Sequence, residues 1–210
     1  GRVESSPLGD LVRPVDSLKQ TVRLAAGLLD DGSLDAASRQ RALDALAMFG
    51  ERLRSFAPDT VRAVATNTVR VASNAAQFLD AAEATLGFPI EVISGLEEAR
   101  LIYVGAAHAL PTDGEPRLVV DIGGGSTECI VGTDMRAGTL ESAAIGCVGL
   151  SRRHFPDGRV RRKSFEHAYY EARAAFAQVS EPFAHQSWGY AVGTSGTAKS
   201  LWQVAQAQWG

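Results

Sequence analysis

Cysteine is scarce in this chain: Cys129 and Cys147 are the only two in 210 residues. They form neither a disulfide framework nor a metal-type pair, and their places in or beside predicted strands suit small buried residues. Proline is low at 8 residues and glycine only modestly raised at 21, which excludes collagen-like repeats and proline-rich disorder. No apolar run approaches the roughly 18–20 residues of a membrane span; the stretch 101–107 is too short. No hydrophobic segment follows Gly1-Arg2-Val3-Glu4-Ser5-Ser6, so no secretory signal is expected there. His108, His154, His167 and His185 show no metal-ligand spacing, and no Ser/His/Asp or Cys/His hydrolase motif is present. His154 follows two arginines and can join an anion site, though a solvated side chain is the favoured reading. What remains is an ordinary composition, 45% hydrophobic and 21% charged, enough for one large or two small domains. A soluble, cytoplasmic globular protein is expected, without a membrane partner.

Net charge is −3, which argues against a nucleic-acid partner. The charge is uneven, however. Residues 151–163 (SRRHFPDGRVRRK) hold six Lys/Arg against one Asp. Such a patch on an acidic body can draw in an anionic ligand, or it can be a solvated loop leading into a helix.

Helix and strand signals alternate. Leu43, Leu46, Phe49, Leu53 and Phe56 recur at spacings of three and four, predicting an amphipathic helix over 34–56 capped by Ser33. A strand is predicted at 61–66, a helix over 70–86 stopped by Gly87, a strand at 89–94 and a helix over 97–110. That alternation is the pattern of βαβ units. The polar run 111–116 (PTDGEP) marks a domain boundary, giving domains at 1–114 and 115–210. Beyond it, strands are predicted at 117–122, 126–132 and 139–145, then a helix over 164–184. A strand at 189–192 and a helix over 197–208 complete the series. Hairpin strands followed by helix, strand and helix suggest a mixed α/β sheet of the ribonuclease-H kind.

The most informative stretch is Asp121-Ile122-Gly123-Gly124-Gly125-Ser126-Thr127-Glu128. If Gly124 and Gly125 are the central pair of a tight hairpin, Gly123 faces Ser126 and Asp121 faces Glu128. Directly opposed residues have Cβ atoms roughly 4.5–5.5 Å apart. Two carboxylates so placed repel unless a cation lies between them, and Mg²⁺ is typically held by one or two carboxylates plus waters and phosphate oxygens. The glycines let backbone amides approach an anion. A metal and amide donors together suit phosphoryl chemistry. An ordinary glycine-rich hairpin with solvated acids is the competing reading. Neither GxGxxG nor a Gly-Lys-Ser/Thr loop is present.

In Ser94-Gly95-Leu96-Glu97-Glu98, Ser94 and Glu97 fit a capping box. Glu98 is left over, on the face of Leu101 and Ile102. A carboxylate against an apolar face tends towards a raised pKa, which suits a general base; the alternative is that it only complements the helix dipole. The turn Gly193-Thr194-Ser195-Gly196-Thr197, between a strand and a helix, can offer amides to phosphate or ribose. In Thr66-Asn67-Thr68-Val69-Arg70, Arg70 can contact an anion or form a surface ion pair.

Together these residues resemble the exopolyphosphatase and guanosine pentaphosphate phosphohydrolase (Ppx/GppA) family. The similarity runs through VRLAAGL (22–28), ATNTVRVASNAAQFL (65–79), IEVISGLEEARLIYVGA (90–106), LVVDIGGGSTECIVG (118–132), IGCVGLSRRHF (145–155) and VGTSGTAK (192–199). The resemblance implies two ribonuclease-H-like domains of the actin/Hsp70/sugar-kinase superfold, with the active site in the cleft between them. It places the catalytic glutamate, which activates water, at Glu98. It makes Asp121 and Glu128 metal-site residues, with Mg²⁺ as cofactor and a monovalent cation such as K⁺ as a second candidate. Gly123, Gly124, Gly125 and Ser126 would cradle phosphate with Arg70, while Gly193, Ser195, Gly196 and Thr197 would hold the far end of the substrate. The family opens with an Asp-x-Gly-Ser-Asn-Ser loop of which this sequence has no counterpart, and full-length members continue past the last resembling helix. The chain is therefore expected to be a fragment lacking one wall of the cleft.

The function implied is metal-assisted hydrolysis of a terminal phosphoanhydride, releasing orthophosphate from inorganic polyphosphate or guanosine pentaphosphate. A homodimer is a candidate assembly. Two alternatives stand beside it. A kinase-like or chaperone-like ATP-binding domain of the same superfold would prefer adenine nucleotides or transfer phosphate to an acceptor. A non-catalytic polyphosphate or alarmone-binding module would bind tightly without turnover.

Overall fold

The computed structural model describes residues 2–6, 9–13 and 15–209. Strands β1 (Arg2–Ser6) and β2 (Gly9–Arg13) pair antiparallel, from Arg2↔Arg13 to Ser6↔Gly9. A 3₁₀ turn at Leu24–Gly27 leads to α1 (Ala36–Leu53). The cap of α1 is Asp35, not Ser33: the Asp35 carboxylate accepts from the Ser38 amide at 2.6 Å. Ser33 closes the preceding turn instead, its amide and hydroxyl both donating to Asp31. Next come β3 (Ala63–Ala65), the short α2 (Asn67–Val71), α3 (Ala75–Leu86) and β4 (Ile90–Val92), with β3 and β4 paired in a two-stranded sheet.

The helix predicted over 70–86 is broken between α2 and α3. The cause is tertiary. Asn74 donates through its side-chain amide to the Leu34 carbonyl at 3.0 Å and accepts from the Leu34 amide at 2.9 Å, while the Ser73 amide donates to the Gly32 carbonyl at 2.9 Å. A side chain that bonds to distant backbone competes with the helix ladder, and here it wins. Gly87 ends α3 as predicted: its φ of 81° lies in the left-handed region, and its amide caps the Glu83 carbonyl at 2.8 Å.

The remaining elements are α4 (Gly95–Ala107), β5 (Pro116–Ile122), β6 (Thr127–Thr133), β7 (Arg136–Ala143), α5 (Cys147–His154), α6 (Arg162–Ala177), β8 (Tyr190–Thr194) and α7 (Ser195–Trp209). The last four strands form one sheet in the order β7-β6-β5-β8. The β7–β6 and β6–β5 pairs are antiparallel and β5–β8 is parallel, the mixed arrangement that the sequence points to. Helix α5 lies where the sequence pattern predicts no element, and α6 stops short of the predicted residue 184.

Ala99, Tyr103 and Ala107 of α4, spaced by four, are buried against Val119 of β5 and Ile130 of β6. Burying a Val or Ile side chain fully stabilises by about 1.5–3 kcal/mol. This stripe pins α4 to the sheet and so fixes Glu98, one residue before Ala99. Two compact units divide the chain: Gly1–Ala65 with Val71–Glu91, and Thr66–Arg70 with Val92–Gly210. Helix α4 thus groups with the sheet that buries it, whereas the polar break at 111–116 puts it on the other side of a boundary. Among the described residues, no helix is long and apolar enough to cross a membrane.

Candidate active site

Strands β5 and β6 enter the glycine turn in the predicted register: Asp121 pairs with Glu128 and Ile122 with Thr127. The Gly123 amide donates to the Ser126 carbonyl at 3.0 Å and closes the turn. The two carboxylates therefore share one face of the pair. Each is anchored by a hydroxyl from a flanking strand. Thr194 of β8 donates to Asp121 Oδ2 at 2.8 Å, and Ser142 of β7 donates to Glu128 Oε1 at 2.9 Å.

The turn itself is held from outside by its carbonyls. The Gly123 carbonyl accepts from the Cys147 amide at 2.9 Å, and the Gly124 carbonyl from the Val148 and Gly149 amides at 3.0 and 3.1 Å. The Ile122 carbonyl accepts from the Ser195 and Thr197 hydroxyls at 3.0 and 2.8 Å. The first turns of α5 and α7 thus brace the loop, a preorganisation that suits a site built to hold charge. At Gly125 a Cβ would lie 2.2 Å from Asn67 Nδ2, so only glycine lets the Asn67 side chain approach this closely.

Glu98 follows from the capping of α4. Ser94 accepts from the Glu97 amide at 3.1 Å, and Glu97 turns outward to a bidentate pair with Arg100. The next residue points inward. The Glu98 side chain is only 15% exposed, and its Oε2 is buried without a hydrogen-bond donor. Arg70 lies 3.6 Å away, an ion-pair distance rather than a hydrogen bond. The guanidinium is oriented by the Ile93 carbonyl, to which Nη1 donates at 2.6 Å, and Nη2 reaches Asn67 Oδ1 at 3.5 Å.

Burial pushes the Glu98 carboxyl above the usual glutamate range; Arg70 and the Thr66 hydroxyl pull it down, and the charge of Asp121 adds to the rise. Burial likewise raises Glu128, opposed by hydrogen bonds from Ser126 and Ser142 and reinforced by the charges of Glu98 and Asp121. Carboxylates of like charge gathered in this way leave room for a divalent cation to offset them. Among the described residues no three acidic, His or Cys side chains close into a cage. The donor set therefore suits a cation held by one or two carboxylates and completed by water and phosphate, the habit of Mg²⁺.

A raised native pKa means that the folded protein holds the proton more tightly than the unfolded chain. The stability this contributes is present below the unfolded value and is lost as pH rises through the folded one. Glu128→Gln is thus expected to raise the unfolding temperature in EDTA at pH 7–8, by an amount on the order of 1 kcal/mol, or about 2–4 °C. The gain should vanish near pH 4. Calorimetry across pH checks it.

The Ppx/GppA phosphatase family model matches residues 4–209. The chain belongs to this family. Similar solved structures include an exopolyphosphatase-like protein, 28% identical over 90% of this chain with a TM-score of 0.82. An exopolyphosphatase from Cytophaga hutchinsonii is 25% identical over 98% of the chain, with a TM-score of 0.80. The PPX-GPPA enzyme of Aquifex aeolicus, 24% identical over 90% with a TM-score of 0.68, shares the fold. The chain spans 59%, 65% and 62% of the length of these three proteins. Its α/β architecture of mixed sheet and flanking helices is theirs.

Within this Ppx/GppA chain, Arg70, Glu98, Asp121, Glu128 and the turn Gly123–Gly125 gather at one end of the sheet. Ser126, expected to cradle phosphate, is buried and hydrogen-bonds Glu128. Ser195 and Thr197, expected at the far end of the substrate, have their hydroxyls on the Ile122 carbonyl. Gly193 lies within β8, where a Cβ would meet the Ala198 side chain at 2.8 Å, whereas Gly196 borders open space. Sequence reasoning missed Ser142 and the docking of α5 on the loop. The first needs the β6–β7 register, which a bulge at Val131/Gly132 shifts. The second was visible only as the glycine of Gly146-Cys147-Val148.

Proposed function

We propose that the protein hydrolyses a terminal phosphoanhydride and releases orthophosphate, acting on inorganic polyphosphate or guanosine pentaphosphate. One observation carries this reading: Glu98 Oε2 is buried, has no hydrogen-bond donor, and lies beside Arg70 in a cluster with Asp121 and Glu128. Such an oxygen has a free lone pair and a raised proton affinity, the requirements of a general base. Membership of a phosphatase family supports the reaction class.

Glu98 takes the proton of a water whose oxygen bonds to the terminal phosphorus; the bridging P–O bond breaks, and the proton passes to the leaving oxygen. Arg70 and the amides of the glycine turn offset charge on the phosphoryl oxygens. Asp121 and Glu128 are the residues that would hold Mg²⁺, which when bound supplies further charge neutralisation to those oxygens. The test is phosphate release by the full-length protein from polyphosphate and guanosine pentaphosphate side by side. Tight binding of both without release would replace hydrolysis by a binding role.

The basic segment 151–163 is read as a guide for long anions. Its charges are partly engaged: Arg153 and His154 both meet Glu171, Arg161 meets Asp157 at 2.6 Å and Arg162 meets Glu166 at 2.9 Å. His154 is therefore not solvated, its side chain being 16% exposed. The exposed arginine pairs are weak and open to competition by a polyanion. Replacing Arg161, Arg162 and Lys163 by Ala is expected to raise KM for long polyphosphate more than for short, and increasingly so at low salt. An equal change at every length would remove the guiding role.

A further inference from the structure

We propose that Ser142 is a positioning residue: its hydroxyl holds the Glu128 carboxylate in the orientation in which it can take a divalent cation. The inference rests on the reading of Asp121 and Glu128 as cation ligands. Ser142 lies directly across from Glu128 in the β6–β7 register and donates to its Oε1 at 2.9 Å. Glu128 is 1% exposed, so bulk water does not fix its side chain. Its near charged neighbours, Glu98 and Asp121, are of like sign and push it away. A carboxylate in that position keeps one orientation only if neutral donors hold it, and Ser142 supplies one of them.

The first residue of α4 lies close against the same hydroxyl. A Cβ on Gly95 would lie 2.6 Å from Ser142 Oγ and 2.7 Å from Ser142 Cβ. The first residue of α4 therefore leaves the hydroxyl little room to turn away. Gly95 stands one turn before Glu98, so a single small side chain supports Glu128 by its hydrogen bond and seats the helix that carries Glu98. The size of the residue and its hydroxyl are both used.

Hydrogen bonds that hold ligating carboxylates typically change metal affinity by 10–100-fold when removed. The experiment is binding of Mn²⁺ to the substrate-free, full-length protein, read by electron paramagnetic resonance with Mg²⁺ as competitor. It is run well below the unfolding temperature of each variant. Ser142→Ala is expected to weaken Mn²⁺ binding about 10–100-fold. Gly95→Ala, which drives a methyl group into the same hydroxyl, is expected to weaken it as well. Wild-type affinity in Ser142→Ala would overturn the role of Ser142 alone. A wild-type protein that binds no Mn²⁺ would instead overturn the cation reading on which that role rests.

Discussion

Glu98→Gln is expected to lower the rate of orthophosphate release by about 10²–10⁴-fold, the usual loss when a general base is removed. Glutamine keeps the size of the side chain and cannot take the proton. Arg70 stays in place through its 2.6 Å bond to the Ile93 carbonyl, so the pocket keeps its shape. The pH profile separates loss of the base from loss of binding. Burial raises Glu98 above its ordinary 4.5, so the acid limb of kcat/KM in the wild type should lie above that of an ordinary glutamate. The variant should lose that limb. Because the native pKa is raised, ionised Glu98 costs stability as pH climbs, and its removal should not unfold the protein at neutral pH. A variant that turns over within about threefold of the wild type would take Glu98 out of the mechanism.

The inward placement of Glu98 was readable from the chain because capping is a local code. Ser94 takes the Glu97 amide, Glu97 is spoken for by Arg100, and the residue that follows must face another way. The hairpin was readable for the same reason. Three glycines between two apolar strands leave few registers, and the pairing of Asp121 with Glu128 is the one in which both strands run straight to the turn. Distant partners were not readable. Asn74 breaks a helix that the apolar spacing runs straight through, because its amide finds both backbone groups of Leu34, forty residues away. Asp35 displaces Ser33 as the cap of α1 because Ser33 is already bound to Asp31.

In the turn Gly193–Thr197 the facing of each hydroxyl was likewise set by distant partners. Its composition suits a phosphate grip, and in the fold Ser195 and Thr197 are turned to the Ile122 carbonyl while Thr194 holds Asp121. The hydroxyls brace the adjacent glycine turn. A sequence motif states which donors are present; the strand pairing decides what each one faces. Thr194 faces Asp121 because the parallel register of β5 and β8 places them side by side.

Gly146→Ala is expected to be among the most damaging single methyl additions in the chain. The backbone at Gly146 is extended, with φ −147° and ψ 165°, a conformation open to any residue. Space is the constraint. A Cβ would lie 2.4 Å from the Gly124 carbonyl carbon, 2.5 Å from the Gly125 nitrogen and 2.6 Å from the Gly124 oxygen, all of them backbone atoms that cannot rotate aside. Either α5 or the glycine turn must move. Movement breaks the bonds from the Cys147, Val148 and Gly149 amides to the turn. Overpacking of this kind costs about 1–3 kcal/mol, and each lost hydrogen bond adds about 1 kcal/mol. With all three bonds lost the unfolding temperature should fall by roughly 8–24 °C, and phosphate affinity should fall with it because the turn no longer presents a fixed set of amides. Gly105→Ala is the matched control. It lies within α4, where an added Cβ meets nothing within 4 Å, so the same methyl should stabilise by about 0.5–1 kcal/mol through helix propensity. Opposite signs for these two substitutions in one calorimetric series would identify close contact between α5 and the glycine turn, rather than glycine content, as the requirement. Equal unfolding temperatures would show that α5 does not brace the turn.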